Sequence, residues 1–191
     1  MMRLYPVFDE VWWAIRLNAL WLLFTLAGGV VLGIGPATVA AYTLARRHAM
    51  GESFPPLRAF ATAYRREFAR GSLLVLPILL AAAVLSTTTL YGAASLIALL
   101  LLAMIAAYLL PMYVHFDLRP RDYLPKASLF ALARPASSIV LLFALAATAY
   151  AVSLLPLLLP TLAVGGWIQL NTWLALRFFA ENEALLLAKG N

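Results

Sequence analysis

Two long stretches of this chain, residues 71–116 and 135–176, contain no aspartate, glutamate, lysine or arginine. As single helices rising ~1.5 Å per residue they would run roughly 60–70 Å, about twice the ~30 Å hydrocarbon core of a bilayer. Each stretch therefore predicts two membrane crossings with a turn between them. Ser86, Thr87, Thr88 and Thr89, followed by Tyr91 and Gly92, interrupt the first stretch and give expected spans of residues 72–90 and 93–116. Pro156 and Pro160 interrupt the second and give expected spans near 136–155 and 161–179. Composition agrees: 64% of the 191 residues are hydrophobic and 12% charged, against roughly 45–50% and about 25% in soluble domains. The expected fold class is all-α, a polytopic transmembrane helical bundle forming a single domain over residues 1–191.

The net charge of +6 falls in short connections between apolar blocks, which is a topological pattern and not a nucleic-acid-binding one. Residues 46–70 carry six arginines against Glu52 and Glu67; residues 117–134 carry Arg119, Arg121, Lys126 and Arg134 against Asp117 and Asp122. The positive-inside rule places both loops in the cytoplasm, and the C-terminal tail with Glu181, Glu183 and Lys189 follows them. The uncharged run 17–45 is about 43 Å of helix, long for one upright span and short for two. Trp12, Trp13 and Arg16 mark an interfacial start, and Gly33-Ile34-Gly35-Pro36 reads as a breaker, with Pro36 opening a new helix. This gives legs of 11–32 and 36–50, hence six membrane segments in three hairpins with both termini inside. The alternative is five spans with the N-terminus outside. Residues 1–16 lack the short apolar core and cleavage site of a signal peptide, so the first span is expected to stay attached.

Residue types that carry chemistry are sparse. There is no cysteine, and His48 and His115 are isolated on different segments, so no metal site or cofactor is expected. No carboxylate lies inside the spans expected at 72–90, 93–116, 136–155 and 161–179, and no nucleophile elbow or phosphate-binding loop is present. In residues 57–70, Leu57, Phe60, Tyr64 and Phe68 share helical spacing, and Pro55-Pro56 can open the helix. Its arginines, Arg58, Arg65, Arg66 and Arg70, together with Arg46 and Arg47, are expected near anionic lipid phosphates at the cytoplasmic face. Gly29 and Gly33 have small-residue spacing suited to close helix approach, and with Asn18, Gly35 and Pro36 they are the candidate packing or partner contacts. Gln169, Asn171 and Thr172 are polar groups in the last span, expected to face the bundle for hydrogen bonding or substrate contact.

The run Leu17-Asn18-Ala19-Leu20-Trp21-Leu22-Leu23-Phe24, then Gly33-Ile34-Gly35-Pro36-Ala37-Thr38 and Ala41-Tyr42, resembles the opening of the bacterial YesL family. Gly51-Glu52, Phe60 and Phe68 continue the likeness over the first seventy or so residues, and Tyr113 with Phe116-Asp117 adds a weaker echo. The chain departs from the family pattern in having Gly33 where threonine is usual, and in more alanine. The resemblance implies a bacterial plasma-membrane protein of unknown biochemical function, from genes often found beside carbohydrate ABC-transporter genes. It brings no catalytic residues. The leading expectation is a non-enzymatic accessory protein, partnered by ABC-transporter permease subunits or by its own copies. The alternatives are a small transporter or channel for a neutral solute, and, ranked last, an intramembrane enzyme.

Overall fold

A computed structural model describes residues 4–87 and 92–189. All regular structure in them is helical, and no strand occurs among the described residues. The order is α1 (Leu4–Ala27), α2 (Val31–Ala49), α3 (Pro56–Arg66), α4 (Phe68–Thr87), α5 (Ala93–His115), α6 (Tyr123–Ala133), α7 (Pro135–Leu154) and α8 (Val164–Lys189). A 3₁₀ turn, Pro120–Asp122, leads into α6, and a π-helical turn, Leu159–Ala163, leads into α8.

Six membrane segments were expected; among the described residues three helices are long and apolar enough to cross a membrane, α4, α5 and α7. The others are diluted by polar residues, such as Asp9, Glu10 and Arg16 in α1, or Arg46, Arg47 and His48 in α2. α8 carries Gln169, Asn171, Arg177, Glu181 and Glu183. Helices α1, α2 and α8 pack on one another, and α2 is the hub, touching α1, α3, α4, α5 and α8. Its buried face is built from small residues, Gly33, Gly35, Ala37, Ala40, Ala41 and Ala45, which admit neighbours on several sides.

Two expected boundaries are corrected. The chain reverses at residues 28–30, not at 33–36, and Pro36 lies inside α2 instead of opening it. Gly29 and Val30 take positive φ, 73° and 61°. The Val31 amide closes a three-residue γ-turn on Gly29 O at 2.8 Å, while Val30 N–H returns to Thr25 O at 2.9 Å. That reversal satisfies the end of α1, so the later breakers are not needed. Inside the helix Pro36 leaves Leu32 O without its usual partner; Ser72 Oγ of α4 lies 3.4 Å from that oxygen. The second correction is the amphipathic segment 57–70, which divides at Glu67 into α3 and the first turn of α4; the C-terminal tail continues α8, and Arg134 Nη2 donates to Asn182 Oδ1 at 3.2 Å. The break near Pro156 stands where expected, after Leu154, although Pro160 sits within the π turn. Of the polar turn expected at 86–92, residues 88–91 lie outside the described residues.

Two apolar clusters organise the packing. One gathers Trp13, Leu17, Tyr42, Leu44, Phe60 and Ile168 from α1, α2, α3 and α8. The other gathers Tyr108, Leu109, Met112, Tyr123, Leu141 and Phe179 from α5, α6, α7 and α8. Trp167 of α8 touches both. Outside these clusters large apolar side chains face outward, including Leu73, Leu80, Ile97, Ile139 and Phe143.

Candidate functional site: a basic cavity and a buried amide network

Where the end of α2, the α3–α4 junction and the end of α5 converge, a cavity of about 910 Å³ opens. Val39, Thr43, Arg46 and Arg47 share one face of α2 by their i, i+4 and i+7 or i+8 spacing and form one wall. Arg66, Glu67, Arg70, Leu73 and Leu74 form the second, and Tyr113 to Leu118 with Tyr123 form the third. Glu67 closes α3 and is 7% exposed. A buried carboxylate is costly unless its oxygens are met. Here Oε1 accepts from Arg66 Nε at 3.0 Å and Oε2 from the Tyr113 hydroxyl at 2.7 Å. Arg66 is largely exposed, so the tyrosine bond is the better shielded of the two. The Tyr113 ring packs on Tyr123, whose hydroxyl donates to Phe116 O at 2.9 Å and accepts from Leu118 N–H at 3.0 Å. These contacts fix the connection between α5 and α6 against the cavity. Arg46 Nε donates to His115 Nδ1 at 3.1 Å, and Arg47 Nε donates to Glu52 Oε2 at 2.6 Å.

A second polar system lies in the packed interior. The Asn18 side chain is fully buried; its Nδ2 donates to Pro160 O at 2.7 Å, with Leu159 O at 3.4 Å, and its Oδ1 accepts from Gly165 N–H at 2.9 Å. Pro160 O and Gly165 N–H are five residues apart, the pair a π turn would join directly. The Asn18 amide bridges the two, donating to one and accepting from the other. Gly165 must be glycine, since a Cβ there would fall 2.2 Å from Ala14 O. Asn171 Nδ2 donates to the buried Tyr42 hydroxyl at 2.7 Å, and Thr172 Oγ1 donates to Ile168 O at 2.7 Å. Gln169 Nε2 reaches the carboxylate of Glu10, which also faces His48 Nε2 at 3.2 Å.

The residues singled out from sequence thus fall into different settings. Asn18, Asn171 and Thr172 are interior, whereas Gln169 is at the partly exposed edge. Gly29 is a turn residue with no neighbour within 4 Å of a built Cβ, so it is not on a packing face. The close approaches are Gly28 to Gly33 across the hairpin, and Gly35 to Ser72 between α2 and α4, with Pro36 meeting Gly71. Arg46, Arg47, Arg66 and Arg70 come together around the cavity, while Arg58 and Arg65 are exposed on α3. Tyr64 of α3 is buried without a hydrogen-bond partner among the described residues, and burial pushes its hydroxyl above the ordinary tyrosine value. Sequence reasoning missed the Glu67–Tyr113 pair. Its one signal is an acid within a run of arginines, and the tyrosine lies 46 residues away. Among the described residues no three His, Asp or Glu side chains cluster as metal ligands.

Residues 14–89 match the family described as "Protein of unknown function, DUF624". Over 181 residues the chain is 33% identical to "Uncharacterized protein YesV" of Bacillus subtilis (strain 168), covering 88% of this chain and 87% of the relative. It is 34% identical over 142 residues to "Uncharacterized protein YesL" of the same organism, covering 68% of each. It is 30% identical over 159 residues to "Uncharacterized protein YteU", covering 77% of this chain and 72% of that protein. No solved structure matches.

Proposed function

This chain belongs to the DUF624 family, the group of the uncharacterized YesV, YesL and YteU proteins, and from that premise we propose a non-enzymatic membrane protein that acts by contact with another membrane component. In this reading α1 and α2, α4 and α5, and α7 and α8 are three hairpins in a bacterial plasma membrane, with α3, α6 and both termini on the cytoplasmic side. The observation that carries it is the division of surfaces. The 18-residue apolar windows of α4 and α7 are each only 11% buried, and that of α5 is 22% buried. The Asn18 side chain of α1 and the Asn171 side chain of α8 meanwhile direct their amide N–H donors inward, to Pro160 O and to the Tyr42 hydroxyl of α2. Such a molecule offers lipid or a partner a broad apolar belt, and keeps its amides for its own packing.

The partner we propose is the permease pair of a carbohydrate ABC transporter, following the family resemblance. A tagged chain extracted in mild detergent from its native membranes is expected to bring permease subunits with it; recovery of the chain alone removes this reading. A second reading is passage of a small neutral solute. Reconstituted liposomes that take up radiolabelled sugars only when they hold the chain would decide for it.

A further inference from the structure

We propose that Arg46 and Arg70 form, across the cavity between α2, α4 and α5, a binding site for a phosphate-bearing anion. Four guanidinium groups line the cavity, those of Arg46, Arg47, Arg66 and Arg70, with the carboxylates of Glu52, Glu67 and Asp117. The first two carboxylates are already engaged. Glu52 takes Arg47, and the two oxygens of Glu67 take Arg66 and the Tyr113 hydroxyl. Asp117 is exposed and forms no ion pair with a described residue. Arg46 and Arg70 are therefore left without a carboxylate partner. Arg46 directs only its Nε into the protein, onto an uncharged nitrogen of His115, and its Nη groups have no partner among the described residues. Arg70 makes neither a hydrogen bond nor an ion pair with any described residue.

Position strengthens the case. Arg46 lies in the last turn of α2, where a cation complements the helix dipole. Arg70 lies in the first turn of α4, on another wall of the same cavity. The planar donor fork of arginine fits phosphate oxygens two at a time. A space of about 910 Å³ admits a small phosphate ester or a lipid headgroup. Val39, Leu73 and Leu74 add an apolar wall, and Leu73, 77% exposed, continues it onto the outer face of α4. The same donors would receive a soluble phosphate ester or the phosphate of an acidic lipid entering from that side. This site differs from a general attraction of surface arginines to lipid, because Arg58 and Arg65 do not line it.

The test uses the full chain in phosphatidylcholine nanodiscs, with thermal unfolding followed in two arms. One arm titrates inorganic phosphate and pyrophosphate at constant ionic strength; the other replaces part of the phosphatidylcholine with phosphatidylglycerol. The variants are Arg46→Gln with Arg70→Gln, Arg70→Gln alone, and, as charge-matched controls, Arg58→Gln with Arg65→Gln for the double variant and Arg65→Gln for the single one. Stabilisation of the parent and of both controls is expected in at least one arm, and the responding arm identifies the source of the phosphate. In the double variant the half-saturating phosphate concentration should rise by at least about tenfold, or the lipid-dependent rise should vanish. If the double variant does not fold, Arg70→Gln, whose side chain makes no hydrogen bond or ion pair with a described residue, carries the test with a several-fold loss. No stabilisation of the parent in either arm, an equal loss in the matched control, or undiminished binding in the cavity-arginine variants overturns the proposal.

Discussion

Asn18 joins two parts of the chain more than 140 residues apart, and every polar atom of its side chain is used in doing so. Asn18→Ala should therefore lower stability by about 2–3 kcal/mol, from lost hydrogen bonds and from groups left unmet around the π turn. Asn18→Asp should be at least as damaging, because a carboxylate would face the Leu159 and Pro160 carbonyl oxygens with no proton to donate. Equilibrium unfolding in detergent checks both, and a mild aspartate variant would contradict the assignment. At the reversal, Val30 is a β-branched residue at φ 61° and half exposed. Val30→Gly should stabilise the chain by about 0.5–1 kcal/mol, since relief of backbone strain exceeds the entropy added to the unfolded chain. Asn18 was legible only as a candidate packing or partner contact. Its partners were not, since they are backbone groups at 159, 160 and 165 that have no side-chain signature.

Among the elements, α2 depends most on the absence of side chains. A Cβ on Gly35 would lie 2.7 Å from Ser72 Cα, so Gly35→Ala must push α2 and α4 apart, at a cost of about 1–3 kcal/mol. Gly29→Ala, by contrast, should cost about 1 kcal/mol through its positive φ alone, because it crowds nothing. The α3–α4 junction is tied to α5 through Glu67 and Tyr113, and a double-mutant cycle of Glu67→Gln and Tyr113→Phe should return a coupling of about 0.5–3 kcal/mol. A coupling of zero would mean that the bond does not hold the junction. Elements bounded by uncharged runs and prolines were readable beforehand: α3 begins at Pro56, and α7 ends two residues before Pro156. The first hairpin was misplaced because Gly28, Gly29, Gly33, Gly35 and Pro36 all qualify as breakers. Gly35 and Pro36 instead lie against Ser72 and Gly71 of α4, a contact absent from any local window.

For the molecule as a whole, the lack of cysteine makes orientation open to a direct measurement. With single cysteines at Arg65, Arg119 and Leu157, all exposed, an impermeant maleimide added to intact cells should modify only Leu157→Cys. The other two should react only after the membrane is opened; the reverse pattern would invert the arrangement of hairpins proposed above. The apolar character and helical content of the whole were plain from its uncharged stretches. The grouping of Arg46 and Arg70 around one cavity was not, because it depends on where α2 ends relative to α4 and α5. The long reach of Asn18 also bears on synthesis. Its segment leaves the ribosome early, and at about 5–20 residues per second the acceptors near residue 160 follow roughly 7–30 seconds later. Until then, in the arrangement of hairpins proposed above, an unmet carboxamide sits in the nascent membrane domain, and a polypeptide truncated before that point would carry an exposed polar mark that the finished product lacks.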